Sequence, residues 1–233
     1  MEMKLRHALV GMILLISTSL AQAKSILIVG DSHSVGPFGR TLDQSLRAEP
    51  DTQVRLEASC GSIIRWWYTG HATPCGYLSI HSNGERISLP KAKTPLLETL
   101  INETKPDLIV VELGSNYLRG YPDETLISDV KRLLLDLKKS GSSCVWVGPP
   151  SMRKFKHELN PFIPKLEKMI TPQCRWINSL PLTHYPETGG DGVHYESPGL
   201  KEIGVSWAKA VSEIISKPNP ADSEFSDEDQ FFH

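Results

Sequence analysis

Five short runs of apolar residues, separated by helical sequence, constrain the fold of this chain more than any other feature. Residues 25–29 and 107–113 are nearly continuous apolar runs followed by glycine, as expected of strands buried on both faces. The other predicted strands are 53–58, 144–147 and 174–177. The predicted helices cover 38–48, 95–104, 123–139 and 160–170, and a last helix begins at Ser197-Pro198. This alternation predicts an α/β fold, with a central five-stranded parallel sheet and helices on both faces.

Residues 62–90 interrupt the alternation. They begin with a cluster of aromatic side chains and then contain Asn83-Gly84 between two short stretches with strand-like sequence. Asn-Gly is typical of a two-residue type I′ turn, so the segment predicts a β-hairpin. We interpret residues 62–90 as an insertion that lies over the edge of the sheet where the parallel strands end.

The two ends of the chain lie outside the predicted domain, which covers residues 24–216. Residues 1–23 start with basic side chains, continue as an apolar run and end in Ala21-Gln22-Ala23, which predicts a secretory signal peptide cleaved after Ala23. An uncleaved membrane anchor is the alternative, although the run is shorter than the ~20 residues of a spanning helix. Residues 217–233 are rich in proline and then in acid, and predict a disordered tail. We expect an exported protein, periplasmic or secreted, with no stable membrane insertion after cleavage.

The charge balance bears on the class of partner. The chain has 25 Lys and Arg residues against 27 Asp and Glu residues, and several of the acids lie in the tail. The predicted domain is therefore close to neutral and lacks the run of basic residues that nucleic-acid binding requires. We expect no nucleic-acid partner, and the composition leaves the oligomeric state open.

Four cysteines, an even number in a chain predicted to be exported, indicate two disulfides. Of the three possible pairings, we favour Cys60 with Cys75 because it closes a short loop of about 15 residues. We pair Cys144 with Cys174 because both begin predicted neighbouring strands, which lie about 4.8 Å apart in a sheet. A zinc site is the alternative use of these residues, but the usual C-x2-C spacing is absent.

Polar residues and a glycine follow the predicted strands where each one ends. Ser32, Gly61 and Asn116 follow the first three strands, and Asp191 and His194 lie in the loop after the fifth. Ligands of open parallel sheets bind beyond the carboxyl ends of the strands, so we expect these residues to meet there. His194 can take the proton of the Ser32 hydroxyl while Asp191 orients the imidazole. The backbone N–H groups of Ser32 and Gly61 and the Asn116 amide can then donate to an oxyanion.

These segments resemble the sequence blocks of a known family. Gly30-Asp31-Ser32-His33-Ser34 is similar to block I of the SGNH, or GDSL, hydrolases, and Asp191-Gly192-Val193-His194 is similar to their D-x-x-H block. Gly61 and Asn116 match the glycine and asparagine of the second and third blocks, and the resemblance covers roughly residues 26–210. It implies a three-layer α/β/α flavodoxin-like sandwich that hydrolyses esters without a metal or other cofactor. Ser32 would be the nucleophile, Asp191 and His194 the rest of the triad, and Gly61 and Asn116 oxyanion donors.

Some positions depart from the family pattern or have no assigned role. His33 stands where the family commonly has Leu or Ile, and Tyr117 stands where it often has Asp. Both are candidates for contact with substrate, as are Trp66 and Trp67, which either stack against sugar rings or pack in the core. Asp31 is predicted to be a structural hydrogen-bond partner of the turn that carries Ser32.

The sequence therefore predicts an exported serine esterase that acts on a small acyl ester or an acylated glycan. We favour an O-acetyl group on a cell-envelope or extracellular glycan, because the chain has an export signal, an aromatic insertion and no long apolar segment to cover lipid chains. A Gly-Asp-Ser-His start also resembles domains attached to membrane acyltransferases, so a glycan O-acetyltransferase is an alternative. A lysophospholipase or thioesterase, and a non-catalytic glycan-binding protein on the same fold, are further alternatives.

Overall fold

The computed structural model describes residues 24–217, so the predicted signal peptide and nearly all of the predicted tail lie outside the described residues. The strands are β1 (Lys24–Gly30), β2 (Thr52–Ser59), β3 (Ala72–Thr73), β4 (Tyr77–Ile80), β5 (Arg86–Leu89), β6 (Ala92–Lys93), β7 (Leu108–Glu112), β8 (Ser143–Val147) and β9 (Arg175–Ile177). The α-helices are α1 (Ser32–Val35), α2 (Pro37–Arg47), α3 (Trp66–Thr69), α4 (Leu97–Thr104), α5 (Asp123–Ser140), α6 (Lys156–Ile170) and α7 (Lys201–Ser216). Short 3-10 helices cover Ser115–Arg119, Arg153–Phe155 and Leu180–Leu182.

The five predicted strands correspond to β2, β1, β7, β8 and β9, which lie side by side in that order and are all parallel. Numbered among themselves along the chain, they have the order 2-1-3-4-5 of flavodoxin-like sheets. The order reverses between β1 and β7, where Gly30 at the end of β1 pairs with Glu112 at the end of β7. Ligands of such sheets bind outside this switch point.

The sheet is larger than predicted and is not wholly parallel. It has seven strands, because β4 pairs antiparallel with β2 and β5 pairs antiparallel with β4. The prediction of a five-stranded, all-parallel sheet was therefore wrong in number and in direction. Leu78 in β4 is fully buried and joins the core cluster beside β2, which explains why the hairpin extends the sheet. It does not lie over the end of the sheet as an insertion.

The hairpin itself is present, but its turn differs from the predicted one. The His81 N–H donates to the Glu85 carbonyl and the Gly84 N–H donates to the His81 carbonyl, which leaves three residues in the loop. Gly84 has a φ of 85°, whereas Asn83 has no positive φ. A type I′ turn needs positive φ at both central residues, so the turn is the three-residue type with glycine in the left-handed position.

Two groups of helices cover the two faces of the sheet. Helices α2 and α7 pack on one face, where Phe38 and Trp207 stack with ring centroids 3.7 Å apart. Helices α3, α4, α5 and α6 cover the other face and bury Trp67 and Trp146 in a second cluster. No helix within residues 24–217 is both long enough and apolar enough to cross a membrane.

Two helices begin three or more residues away from their predicted starts. Helix α7 begins at Lys201 and not at Ser197-Pro198, because Gly199 has a φ of 82°, which a helix cannot contain. Residues 197–200 instead form a turn in which the Leu200 N–H donates to the Ser197 carbonyl. Helix α6 begins at Lys156, four residues before the predicted start at Asn160.

Both predicted disulfides are present, so the alternative of a zinc site was wrong. Cys60 pairs with Cys75 with Cα atoms 5.4 Å apart, and Cys144 pairs with Cys174 with Cα atoms 4.7 Å apart. The second bridge joins the beginning of β8 to the residue before β9, at the end of the sheet opposite Ser32. The first bridge joins the loop after β2, next to Gly61, to the residues before β4.

Candidate active site

Ser32 lies at the point where β1 ends and α1 begins. Asp31 caps this short helix, since its Oδ1 accepts a hydrogen bond of 3.0 Å from the His33 N–H. Ser32 is 7% exposed, so this residue opens to solvent only over a small area. The strand and the capped turn together hold the hydroxyl at the carboxyl edge of the sheet.

The structure brings Ser32, His194 and Asp191 into one chain of hydrogen bonds. The Ser32 Oγ lies 2.9 Å from His194 Nε2, and His194 Nδ1 lies 2.6 Å from Asp191 Oδ2. A carboxylate on Nδ1 favours the tautomer in which Nε2 is the acceptor for the serine proton. This arrangement can deprotonate Ser32 as it attacks an electrophile.

The loop of Asp191 and His194 is fixed by its own backbone. Asp191 Oδ1 accepts the N–H groups of Val193 and His194 at 2.8 Å each. Burial by itself would raise the pKa of Asp191, but these bonds and the His194 ring outweigh it and hold the pKa well below its usual range. The Tyr185 hydroxyl accepts the Gly192 N–H at 2.9 Å and lies 3.2 Å from the His194 carbonyl. Asp191 therefore stays ionised beside the imidazole.

Two backbone N–H groups near Ser32 are available to a ligand. Within residues 24–217, neither the Ser32 N–H nor the Gly61 N–H donates to a protein group. Gly61 has a φ of 80°, a left-handed conformation that favours glycine, and the adjacent Cys60–Cys75 bridge fixes its loop. Unpaired N–H groups of this kind can stabilise a developing negative charge.

The Asn116 amide lies in the same region but is already engaged. Its Nδ2 donates to Asp31 Oδ2 and to the Ser62 carbonyl, each at 3.1 Å. An amide nitrogen carries two hydrogens, so both are in use. Asn116 can donate to an oxyanion, as predicted, only if its amide gives up the hydrogen bond to the Ser62 carbonyl and donates that hydrogen to the substrate.

His33 is buried beside the triad. It is 4% exposed, and its ring centroid lies 5.5 Å from that of His194 and 5.9 Å from that of Trp207. Burial, followed by the proximity of His194, lowers the pKa of His33 to about 3. The side chain is therefore a neutral imidazole that lines one wall of the cleft.

The aromatic residues predicted to contact substrate divide into two groups. Trp66 is half-buried and lies next to Gly61, and its ring packs at a tilt of 34° against the exposed His71 with centroids 4.1 Å apart. Trp67 and Tyr117 are 1% and 4% exposed. Trp67 is a core residue, and the Tyr117 hydroxyl donates to Asp129 at 2.7 Å. The structure therefore does not support substrate contact by Trp67 or Tyr117, which sequence patterns cannot distinguish from surface aromatics.

A small cavity adjoins Ser32 on the side of His33. The cavity lined by Ser32, His33, Phe38 and His194 measures about 10 Å³, which is about enough for one water molecule. Larger cavities of about 500 and 490 Å³ lie under Arg132 and around Cys144, away from the triad. Space for the reacting group of a ligand is thus limited on the His33 side of Ser32.

Two polar residues of the site were missed in the sequence analysis. The Tyr185 hydroxyl positions the Asp191 loop through Gly192 and His194. No sequence motif marks Tyr185, because its partners lie in an irregular loop. Glu112 is buried behind Asp31 at the end of β7. Glu112 did have a signal, because it is the one charged residue between Asp107 and Gly114 in an otherwise apolar run.

No family model matches the chain. An arylesterase from Vibrio mimicus is 25% identical over 143 residues, which cover 60% of this chain and 62% of the arylesterase. The match thus spans less than two thirds of that relative's length. Among solved structures, the psychrotrophic esterase EstA from Pseudoalteromonas sp. is 14% identical with a TM-score of 0.52 over 83% of this chain and 100% of EstA.

TesA is 14% identical with a TM-score of 0.54 over 82% of this chain and 99% of TesA. A protein from Slackia heliotrinireducens assigned to the SGNH hydrolases is 16% identical with a TM-score of 0.53 over 83% of this chain and 100% of that protein. At these identities the similarity establishes the fold. The chain has the fold of the SGNH, or GDSL, hydrolases, as its sequence blocks indicated.

Proposed function

We propose that this chain is an exported serine esterase that removes short acyl groups, acetyl foremost, from an acylated glycan. The observation that carries the proposal is the hydrogen-bond chain from Asp191 through His194 to the Ser32 Oγ, beside two unpaired N–H groups. The similarity to the Vibrio mimicus arylesterase and the fold of the SGNH hydrolases support ester hydrolysis.

The reaction follows from this geometry in two steps. His194 Nε2 accepts the Ser32 proton while Oγ bonds to the ester carbonyl carbon, and the N–H groups of Ser32 and Gly61 stabilise the oxyanion. The imidazolium, held by Asp191, then protonates the leaving alcohol and an acyl-serine forms. Water, deprotonated by His194, attacks the acyl carbonyl, and the acid leaves as Ser32 regains its proton.

The positions of the large cavities support a short acyl group. The cavities of about 500 and 490 Å³ lie away from Ser32, so neither can receive the alkyl chain of a long acyl group bound there. We expect turnover of p-nitrophenyl esters to fall as the acyl chain lengthens from acetyl to octanoyl. Faster turnover of the octanoyl ester would instead favour the lysophospholipase or thioesterase alternative.

The aromatic pair Trp66 and His71 supports a sugar as the alcohol part of the ester. The Trp66 ring lies 3.7 Å from the point where a Cβ atom on Gly61 would lie, which is an ordinary van der Waals distance. Sugar rings pack on aromatic side chains, and the Trp66 ring adjoins Gly61, a proposed oxyanion donor. Trp66→Ala should raise KM for an acetylated oligosaccharide about 10-fold, the loss of roughly 1.4 kcal/mol of contact, and leave kcat for p-nitrophenyl acetate unchanged.

Leu135→Ala is a matched control for Trp66→Ala, because Leu135 is an exposed apolar side chain of α5 and lines a different cavity. An equal change of KM in both variants would contradict a sugar-binding role for Trp66.

Export is supported by the two disulfides, which form and persist in oxidising compartments.

The activity itself is tested by p-nitrophenyl acetate hydrolysis with residues 24–233. Ser32→Ala should abolish turnover, whereas Ser128→Ala, at an exposed serine of α5, should not change it. Equal turnover in native protein and Ser32→Ala would contradict Ser32 as the nucleophile. Acetylated acceptor sugar in place of free acetate would favour the acetyltransferase alternative, and glycan binding without turnover would favour the binding protein.

A further inference from the structure

Two carboxyl groups are buried together behind the turn that carries Ser32. Asp31 is 0% exposed and Glu112 is 1% exposed. Asp31 follows β1 and Glu112 ends the neighbouring strand β7. The Asp31 backbone N–H donates to the Glu112 carbonyl at 3.1 Å and lies 3.4 Å from Glu112 Oε2, so the two side chains are neighbours. The reaction described above uses neither of them.

No cation neutralises this pair. Within residues 24–217, neither Asp31 nor Glu112 forms an ion pair with Lys, Arg or His. The other titratable groups that act on Asp31 are His194 and, more weakly, Arg119. His33 is the neighbouring imidazole, and it is neutral. Two adjacent carboxylates buried without a cation are strongly unfavourable, so the pair keeps one proton.

The hydrogen bonds indicate which carboxyl group carries that proton. Both oxygens of Asp31 accept bonds, Oδ1 from the His33 N–H at 3.0 Å and Oδ2 from Asn116 Nδ2 at 3.1 Å. Glu112 Oε2 accepts the Ser34 hydroxyl at 2.8 Å, while Oε1 meets no N–H or hydroxyl donor within residues 24–217. A buried, ionised oxygen without a donor is costly, whereas a protonated Glu112 can donate to Asp31.

The pKa directions agree with this assignment. Burial raises the pKa of Asp31 to about 6, against the hydrogen bond from the His33 N–H. Burial, and then the nearby Asp31, raises the pKa of Glu112 well above its usual range. Both directions favour a proton that stays on the pair, and the hydrogen bonds place that proton on Glu112.

We propose that Glu112 is a positioning residue that keeps a proton on its carboxyl group and donates it in a hydrogen bond to Asp31. Asp31 is thereby held as the acceptor that orients the Asn116 amide and the backbone of the Ser32 turn. Glu112 touches no substrate and acts through Asp31. Its contribution to catalysis rests on the proposed esterase function, whereas its protonation does not.

Two isosteric variants separate the roles of the two acids. Glu112→Gln keeps a neutral side chain that can donate to Asp31 and accept from Ser34, so kcat for p-nitrophenyl acetate at pH 8 should stay within about 3-fold of native, well below the effect of a lost donor. Asp31→Asn offers a single acceptor oxygen, so Asn116 or the His33 N–H loses its partner. We expect kcat to fall roughly 100-fold or more, as when one oxyanion donor is lost, with KM little changed.

Infrared difference spectroscopy tests the proton directly and needs no turnover. Native protein at pH 8 should show the carbonyl band of a protonated carboxylic acid, which persists in Asp31→Asn and disappears in Glu112→Gln. Urea unfolding of each variant checks that it folds. Absence of the band from native protein, its loss in Asp31→Asn, or a fall in kcat of Glu112→Gln equal to that of Asp31→Asn would overturn the proposal. If native protein had no esterase activity, the band would still decide the protonation of Glu112.

Discussion

The buried imidazole of His33 makes the stability of this protein sensitive to acid. Burial and the proximity of His194 lower the pKa of His33 from 6.5 to about 3, so the folded protein excludes the proton that the unfolded chain binds. The contribution of the neutral His33 to the free energy of unfolding is therefore fully present above pH 6.5. It is lost as the pH falls from 6.5 toward 3. His33→Leu removes the titrating group from this site and places an apolar side chain against Trp207 and Tyr195.

The size of the effect follows from the two pKa values. Between the unfolded and folded pKa, each unit of pH below 6.5 costs about 1.4 kcal/mol of unfolding free energy. At pH 5 the cost is therefore about 2 kcal/mol, and at pH 7.5 it is close to zero. The native protein should lose about 2 kcal/mol more than His33→Leu does between these pH values.

Urea unfolding of residues 24–233 at pH 7.5 and pH 5.0 measures this difference, because the other titrating groups are common to both proteins. His157→Leu is the matched control, since His157 is exposed on α6 and should leave the pH dependence as in native protein. An equal loss of stability in native protein and His33→Leu would refute the assignment of His33 as a neutral, buried imidazole.

Three further variants test other parts of the account. Asp191→Asn should lower kcat about 10⁴-fold with a small change of KM, because the Asp191 carboxylate holds the His194 tautomer; a loss below 10-fold in steady-state assays would contradict this role. Tyr185→Phe leaves the Gly192 N–H without an acceptor and should cost roughly 1–3 kcal/mol in urea unfolding; unchanged stability would show that the bond is dispensable. Replacing both Cys144 and Cys174 with Ala opens a bridge with a sequence separation of 30 and should cost roughly 3–4 kcal/mol while kcat stays unchanged, as measured by unfolding and turnover; a fall in kcat would place the bridge in contact with the site.

The parallel part of the sheet was predictable from the sequence because local patterns determine it. Residues 25–29 and 107–113 read as buried strands, and helices between them require parallel crossovers. The hairpin at residues 77–89 was predicted as a hairpin, but its place beside β2 depends on pairing between distant parts of the chain. The start of α7 was missed because the proline signal at Ser197-Pro198 outweighed Gly199, whose left-handed φ of 82° prevents a helix there.

The site shows a similar division. Ser32, Asp191 and His194 were predictable as neighbours because they follow strands that end at the same edge of the sheet. The burial of Trp67 could not be distinguished from the partial exposure of Trp66, since adjacent aromatic residues on a short helix differ only in the direction they face. Glu112 was visible as a lone acid in an apolar strand, but its partner Asp31 lies 81 residues away in the chain.

Covalent labelling of Ser32 is the most direct test of the central claim that His194 and Asp191 make this hydroxyl nucleophilic. Residues 24–233 would be treated with a fluorophosphonate and digested, and the modified peptide would be identified by mass spectrometry. We expect one adduct per chain, on Ser32, and labelling at least about 100-fold slower in His194→Ala, the scale on which general-base catalysis acts. An unlabelled native protein, an adduct on another residue, or equal rates in native protein and His194→Ala would contradict the account.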